Sequence, residues 1–401
     1  MIHGQKTEPW HGVLDEHPAI QYATRPTADR AGALGRALAD KTRTLKRDAS
    51  TGYLRPVLEA LGVPADSQIL VFSKTGVQRN YTSPHNPRAL YFDQSVAVAY
   101  VPGAPLLEIA AHDPQQGVVF YTLEQTAAAP VLTRQHSCLT CHVAASTLGV
   151  PGMIARSHTV GVDGNILPQS ETRAVDHATR HPDRWGGWFV TSEDAPPPYS
   201  QLAHLGNITF SGNGETSNQV FVEWMNSAPE TRGYLSAASD ISGLLVFDHQ
   251  MHAINLLTKL NWESRVAKAD DDVGANAAVH LLVDELADYL LFAGEEPPSA
   301  PLTPRPGFAS SLAARTPKDH LGRSFAQFDL DNRLLRYPCS FMIYSDAFNA
   351  LPPGVKASVY RRMIDTLSVN DAHANRTRIS AADRRAILEI LRDTKPDFPV
   401  S

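Results

Sequence analysis

Two cysteines and a histidine form the most informative group in this sequence. Cys138 and Cys141 are separated by two residues, and His142 follows the second cysteine directly. This CxxCH arrangement is the attachment motif of a c-type haem, in which each thiol bonds to one vinyl group of the porphyrin and the histidine binds the iron. The motif uses two of only 3 cysteines in 401 residues. We therefore predict one covalently attached haem c, with His142 as the proximal iron ligand.

The cysteine pair also has three competing interpretations. A thioredoxin-like redox pair lies between a strand and a helix of a small α/β unit, and the flanking residues do not suggest one. A zinc site needs two further ligands, and the sequence has no second cysteine pair. A disulfide between Cys138 and Cys141 would close a very short, strained loop. Covalent haem is the interpretation that these arguments favour.

The sixth coordination position of the iron separates carriers from enzymes, because a strong second ligand blocks substrate. We favour histidines over methionines here, since the ordinary role of a methionine is packing. His204 is the predicted distal ligand and a predicted catalytic residue. His249 and His252 lie three apart on one face of a predicted helix, and we predict that they act on bound substrate. The alternative is a hydrogen-bonded core network that joins this helix to the loops.

A tryptophan segment that contains two glycines supplies the other predicted haem contacts. Trp185 follows Arg184, and glycines let the backbone here approach a flat surface closely. We predict that Trp185 packs against the porphyrin, with plain core filling as the alternative. Arg173 and Arg184 are predicted to pair with haem propionates, since guanidinium groups bind carboxylates through two parallel hydrogen bonds. Cys339 is predicted to be a buried free thiol.

Composition narrows the classes of partner and the compartment. The formal net charge of −6 argues against nucleic acid, which needs a basic surface. No apolar run approaches the ~18 residues that indicate a membrane span, so none is predicted. Covalent haem attachment takes place after export in most bacteria. We therefore expect a periplasmic protein whose signal peptide is absent from this chain.

The pattern of apolar residues predicts an α+β fold, with an N-terminal antiparallel β-rich segment and a mainly helical, loop-rich, cytochrome c-like haem region. The predicted strands are Ile69–Phe72, Ala89–Phe92, Val96–Val101, Leu106–Ala110 and Val118–Leu123. The predicted helices are Ala31–Lys46, Leu54–Leu61, Asp240–Lys268, Val279–Phe292, Val355–Leu367 and Ala381–Asp393. We divide the chain into an N-terminal α+β region (1–129), a haem-binding region (130–296) and a helical region packed on it (297–401).

Several segments beyond CxxCH resemble a family of large single-haem, cytochrome c-like proteins of bacterial periplasms whose function is uncharacterised. The matching segments lie between about Leu54 and Pro396 and are Leu70–Thr75, Asn86–Phe92, Asp113–Gly117, Arg184–Trp188, His204–Asn207, Asp248–Gln250 and Tyr337–Ser340. The resemblance implies one integrated unit around a single haem. It implies no particular substrate.

Two functions follow from a single haem in so long a chain. The first is a haem-dependent oxidoreductase, peroxidase-like or oxidase-like, because 401 residues are far more than an electron carrier requires. Its partner would be a small-molecule substrate. The second is an electron-transfer subunit that docks to a partner redox protein, steered by its mild acidity. A third, weaker interpretation is a gas sensor.

Overall fold

The predicted α+β class is confirmed by a computed structural model, which combines an N-terminal antiparallel sheet with a C-terminal helical region. The structure describes residues 16–161, 163–168, 170–191, 233–236, 238–298, 301–304, 307–368 and 378–399. No helix within these ranges is long and apolar enough to cross a membrane.

The main sheet of the described chain has seven strands. They are β1 (Ile69–Val71), β2 (Arg88–Phe92), β3 (Val96–Tyr100), β4 (Leu106–Asp113), β5 (Gly117–Glu124), β6 (Leu132–Arg134) and β9 (Trp188–Phe189). The strands pair antiparallel in the order β6-β5-β4-β3-β2-β1-β9. A separate two-stranded sheet pairs β7 (Arg156–Ser157) with β8 (Arg173–Ala174). Strands β1 to β6 precede the CxxCH motif in sequence and β9 follows it, so the main sheet combines residues from before and after the motif.

The two faces of the main sheet differ in how well they are covered. Helices α1 (Arg30–Ala39) and α2 (Leu54–Leu61) pack on one face, where residues such as Tyr91, Val98 and Ile109 are buried in a first apolar core. Along the central strands β2 to β4, buried residues of this face alternate with residues of the opposite face, most of which are only half-buried. Strand residues alternate between faces, so each strand contributes to both.

The remaining helices form the second and larger core. They are α3 (Leu139–His142), α4 (Ile241–Asp270), α5 (Val273–Leu290), α6 (Phe308–Arg315), α7 (Asp346–Asn349), α8 (Pro353–Ser368) and α9 (Ala381–Thr394). Every residue of α4 from Ile241 to Met251 is buried, so the first three turns of this helix are enclosed on all sides. Asp240 caps its first turn by accepting from the Ser242 N–H.

The predicted elements agree with the structure most closely where local signals are strong. Helix α2 has the predicted bounds, because Gly62 ends it in a left-handed conformation with φ of 66°. Helix α1 is shorter than predicted and ends at Ala39. There Lys41 takes a positive φ of 58°, and the N–H groups of Thr42 and Arg43 donate to the Ala37 carbonyl. This backbone turn ends the helix before the predicted Lys46.

Candidate haem-attachment site

The CxxCH motif forms one short helical turn directly after strand β6. A 3₁₀ turn, His136–Cys138, runs into α3, Leu139–His142. In a helix, residues three and four positions apart lie on the same side. Cys141 and His142 are three and four residues beyond Cys138, so all three side chains project from one side of this turn. Cys138 is half-buried and Cys141 is exposed, and both are free thiols.

The His142 imidazole is held in the orientation that an iron ligand needs. Its Nδ1 lies 2.9 Å from the carbonyl oxygen of Gly152, which only accepts hydrogen bonds, so Nδ1 carries the proton. The lone pair is therefore on Nε2. Metal-bound histidines are commonly fixed by such a bond from the other ring nitrogen. Burial lowers the pKa of His142 to about 4, so the ring is neutral at neutral pH, as a ligand must be.

Helix α4 positions the Gly152 carbonyl through Asn255. The Asn255 amide donates to the Met153 carbonyl at 2.8 Å and accepts from the Met153 N–H at 3.1 Å. A Cβ on Gly152 would overlap the Asn255 side-chain oxygen, so glycine permits this close approach. On its other side the His142 ring contacts Phe120 of β5, with centroids 4.6 Å apart. The imidazole is thus held between the sheet and the helix.

A half-exposed apolar surface lies beside the motif on the face of the sheet opposite α1 and α2. We call it the motif surface, and it comprises Leu90, Ala97, Ala110, Cys138, Leu139 and Leu148, which pack against the larger core without being buried. Ala97 pairs with Ala110, and Ala110 pairs with the Phe120 that contacts His142. The small side chains of Ala97 and Ala110 keep this part of the sheet surface flat and apolar. The surface, the thiols and the free imidazole nitrogen all fit a covalent porphyrin.

A groove of about 190 Å³ opens next to the motif surface and is lined by Leu148, Met153, Met251, His252 and Asn255, among others. His252 is partly exposed here, and its ring lies 4.8 Å from that of Tyr289. Burial lowers the pKa of His252. The structure therefore brings one of the three predicted catalytic histidines to a space beside the motif.

No protein-family model, curated protein or solved structure matches this chain.

His249 lies in the interior and belongs to a hydrogen-bonded network. Its Nδ1 lies 2.8 Å from Nδ1 of His177, its Nε2 lies 2.6 Å from the Ser340 hydroxyl, and Nε2 of His177 lies 3.3 Å from the Ala293 carbonyl. The Met342 N–H donates to the Ser340 oxygen. One arrangement satisfies all of these groups. Ser340 donates to His249, His249 donates to His177, and His177 donates to Ala293.

This network agrees with the core alternative stated for His249, and burial keeps both rings neutral. Desolvation lowers the pKa of His177 to about 4 and that of His249 well below its usual value. The Tyr289 ring stacks on both, with centroids 4.2 Å from His177 and 5.0 Å from His249. A catalytic role for His249 stays a prediction.

Arg184 and Trp185 attach to helix α4 through Asp248. The Trp185 indole donates to Asp248 at 2.9 Å, and the Arg184 guanidinium lies 3.8 Å from the same carboxylate. Arg184 also donates to the carbonyls of His177 and Thr179, and it is 1% exposed. These contacts account for both side chains within the protein. Their predicted contacts with haem stay predictions.

The other predicted residues are found in varied surroundings. Arg173 is exposed and pairs with Glu171 at 2.9 Å. Cys339 is fully buried as a free thiol, and burial raises its pKa. His204, the predicted distal ligand, lies outside the described residues. The residues that hold His142 are Phe120, Gly152 and Asn255, and only Asn255 carried a sequence signal, as a polar residue on an otherwise apolar helix.

Other metal-ligand groups in the described chain offer no support for a zinc site at the cysteines. The clustered side chains there are those of Asp319, which is buried, and of His320 and Asp393, which are exposed. Asp319 is bound by Arg323 at 2.6 Å, and His320 pairs with Asp393. No described carboxylate or histidine joins Cys138 and Cys141 in such a cluster.

Proposed function

We propose that this chain binds one covalent c-type haem at Cys138, Cys141 and His142 and acts in periplasmic redox chemistry. The observation that carries the proposal is the hydrogen bond from Nδ1 of His142 to Gly152, which leaves Nε2 free, in a ring whose pKa burial lowers so that it is neutral at neutral pH. A chance CxxCH would not require a fixed imidazole four residues from one half-buried thiol and next to a second, exposed one.

A bound haem supplies an iron that changes oxidation state by one electron. The protein's own residues then have three separate tasks. Cys138 and Cys141 would form the thioethers and His142 would give the iron a nitrogen ligand, while Asn255 holds the loop whose Gly152 carbonyl orients the imidazole. Axial-ligand orientation and the polarity around the iron are the main means by which a protein tunes such a cofactor.

A haem-dependent oxidoreductase is the more specific function that we infer, and the groove beside the motif supports it. Partly exposed His252 lines this space, which has the size for a small molecule rather than a protein segment. An electron-transfer subunit is the alternative, supported by the exposure of Cys141. An exposed thioether would bring one edge of the porphyrin near the surface, and the charge of −6 would favour a basic partner.

Co-expression with a haem-attachment system tests the proposal. We expect the full chain to carry one haem that survives denaturation, measured by intact mass and by the spectrum of the unfolded protein. Replacing both Cys138 and Cys141 by serine should abolish attachment, whereas Cys339→Ser, the matched control, should retain it. A folded wild-type chain that carries no covalent haem after co-expression would overturn the proposal.

Ligand binding to the iron separates the two functions. If the haem-bound chain is an oxidoreductase, we expect carbon monoxide and cyanide to change its spectrum, because a substrate needs an accessible coordination position on the iron. A low-spin spectrum that neither ligand changes would instead support electron transfer. His142→Gly should lose the axial nitrogen and regain it when imidazole is added, whereas His252→Ala should keep the proximal signature and alter only ligand binding.

A further inference from the structure

Arg88 is a half-buried arginine at the edge of the motif surface. It is the first residue of β2, and it pairs with Val71 of β1. Leu90 of the motif surface lies two residues further along the same strand, so Arg88 and Leu90 share a face of the sheet. This is the face on which Phe120 contacts His142.

The guanidinium of Arg88 has hydrogen-bonding capacity that the described protein leaves unused. It donates from Nη1 to the Thr75 carbonyl at 3.2 Å and from Nη2 to the Thr75 hydroxyl at 3.1 Å. Its Nε is buried and has no hydrogen-bond partner among the described residues. A buried N–H without an acceptor is costly, by about 1–3 kcal/mol, so a missing acceptor is indicated here.

Arg88 also lacks a carboxylate partner among the described residues. Glu108 is close enough to act on it electrostatically, yet no ion pair forms between them within 4.0 Å. The Glu108 carboxylate instead accepts from the Gln78 amide at 3.0 Å. Arg184, by contrast, already has Asp248 and two backbone carbonyls. Of these two arginines, Arg88 is the one with a positive charge available to a ligand.

A second cation, Arg156, approaches the motif from the other side. Its Nη2 lies 3.5 Å from the Cys141 carbonyl and 3.5 Å from the Ser146 hydroxyl. Both Arg88 and Arg156 are near enough to disfavour the protonated form of His142. Two guanidinium groups therefore lie near the motif, together with the Glu108 carboxylate that acts on both Cys138 and Arg88, and the two cations suit a cofactor that carries two carboxylates.

We propose that Arg88 binds a propionate carboxylate of the haem attached at Cys138 and Cys141. This inference rests on the proposed function and names the residue that recognises the anionic edge of the cofactor. The unpaired Nε–H and a further guanidinium N–H form the fork that a carboxylate accepts through two parallel hydrogen bonds. Arg184, the arginine predicted for this contact together with Arg173, has its carboxylate partner within the protein.

The reduction potential of the haem-bound chain measures this contact. Loss of a nearby positive charge disfavours the reduced iron, so in Arg88→Gln we expect the ferrous-to-ferric ratio at a fixed solution potential to fall by about tenfold, which is about 59 mV for one electron. Arg88→Lys keeps the charge without the fork and should give a smaller fall. Arg315→Gln, at an exposed arginine that ends α6, is the control and should leave the ratio unchanged.

A second measurement distinguishes a propionate contact from a structural role. In the haem-free chain, with Cys138 and Cys141 replaced by serine, Arg88→Gln should change the urea midpoint less than it does in the haem-bound chain. Equal shifts in the two forms, or an unchanged potential in haem-bound Arg88→Gln, would overturn the role of Arg88. Absence of haem from the wild-type chain would instead overturn the proposed function.

Discussion

Replacing Asn255 by alanine tests how strongly helix α4 holds the loop that orients His142. Asn255 is 1% exposed, and its amide satisfies both the N–H and the carbonyl of Met153. The substitution leaves two backbone groups without partners, and each buried unpaired group costs about 1–3 kcal/mol. The groove next to Asn255 admits water to part of this site. We therefore expect the free energy of unfolding to fall by about 3 kcal/mol, a value in the lower half of the range obtained by adding the costs of the two backbone groups.

Urea unfolding followed by circular dichroism measures this loss, and Thr258→Val provides a matched control. Thr258 is buried on the same helix, and its hydroxyl donates to the Ile254 carbonyl within the helix. Its replacement should cost less than about 1 kcal/mol, because the Ile254 carbonyl keeps its helical hydrogen bond. In the haem-bound chain, Asn255→Ala should also broaden the distribution of iron spin states, since the Gly152 carbonyl no longer has a fixed position. Equal losses in the two variants would refute the reasoning.

Three further changes have directions set by buried groups. Trp185→Phe removes the indole donor of Asp248, and we expect it to lower the free energy of unfolding by about 1–3 kcal/mol in urea titrations. Glu295 accepts a hydrogen bond from the Leu334 N–H, and burial raises the pKa of its carboxyl group to about 7. Ionisation of Glu295 therefore destabilises the folded state once the pH exceeds the pKa of the unfolded chain. We expect Glu295→Gln to gain stability relative to wild type between about pH 4.5 and about pH 7, by up to about 3 kcal/mol. Burial lowers the pKa of His112 to about 4, so the unfolded chain takes up a proton at this residue before the folded chain does as the pH falls. Wild type therefore loses stability between about pH 7.5 and about pH 4, and we expect His112→Phe to reduce that loss by about 3 kcal/mol. Unfolding curves at several pH values check the last two, and parallel pH profiles of wild type and variant would contradict either.

Local sequence signals predicted the elements whose causes are local. Helix α2 ends at the glycine that its C-terminus needs, and strands β2 to β5 follow short alternating or continuous apolar runs. The three-residue strand β1 lies within the predicted Ile69–Phe72, but the other strands of two or three residues, β6 to β9, were missed because so short a run has no measurable period. Strand β9, for example, forms by pairing with β1, which is distant in sequence.

The site was predictable to the extent that its chemistry is contained in one short segment. Cys138, Cys141 and His142 identify themselves by spacing. The partners of the imidazole, Gly152 and Phe120, come from a loop and a strand whose roles depend on the fold. Arg184 and Arg88 illustrate the same limit, because only the fold decides that Asp248 lies beside Arg184, whereas Nε of Arg88 has no hydrogen-bond partner among the described residues.

The pair formed by His177 and by His249 of helix α4 has a fixed electrical direction. Both ends of its hydrogen-bonded chain are backbone groups, since the Ala293 carbonyl only accepts and the Met342 N–H only donates. Every donor between them must therefore point the same way, and each ring is confined to one tautomer. A reversed chain would bring two lone pairs together at Ala293. The pair thus behaves as a permanent dipole that crosslinks four segments of the core, and a proton could cross it only after an end bond had broken.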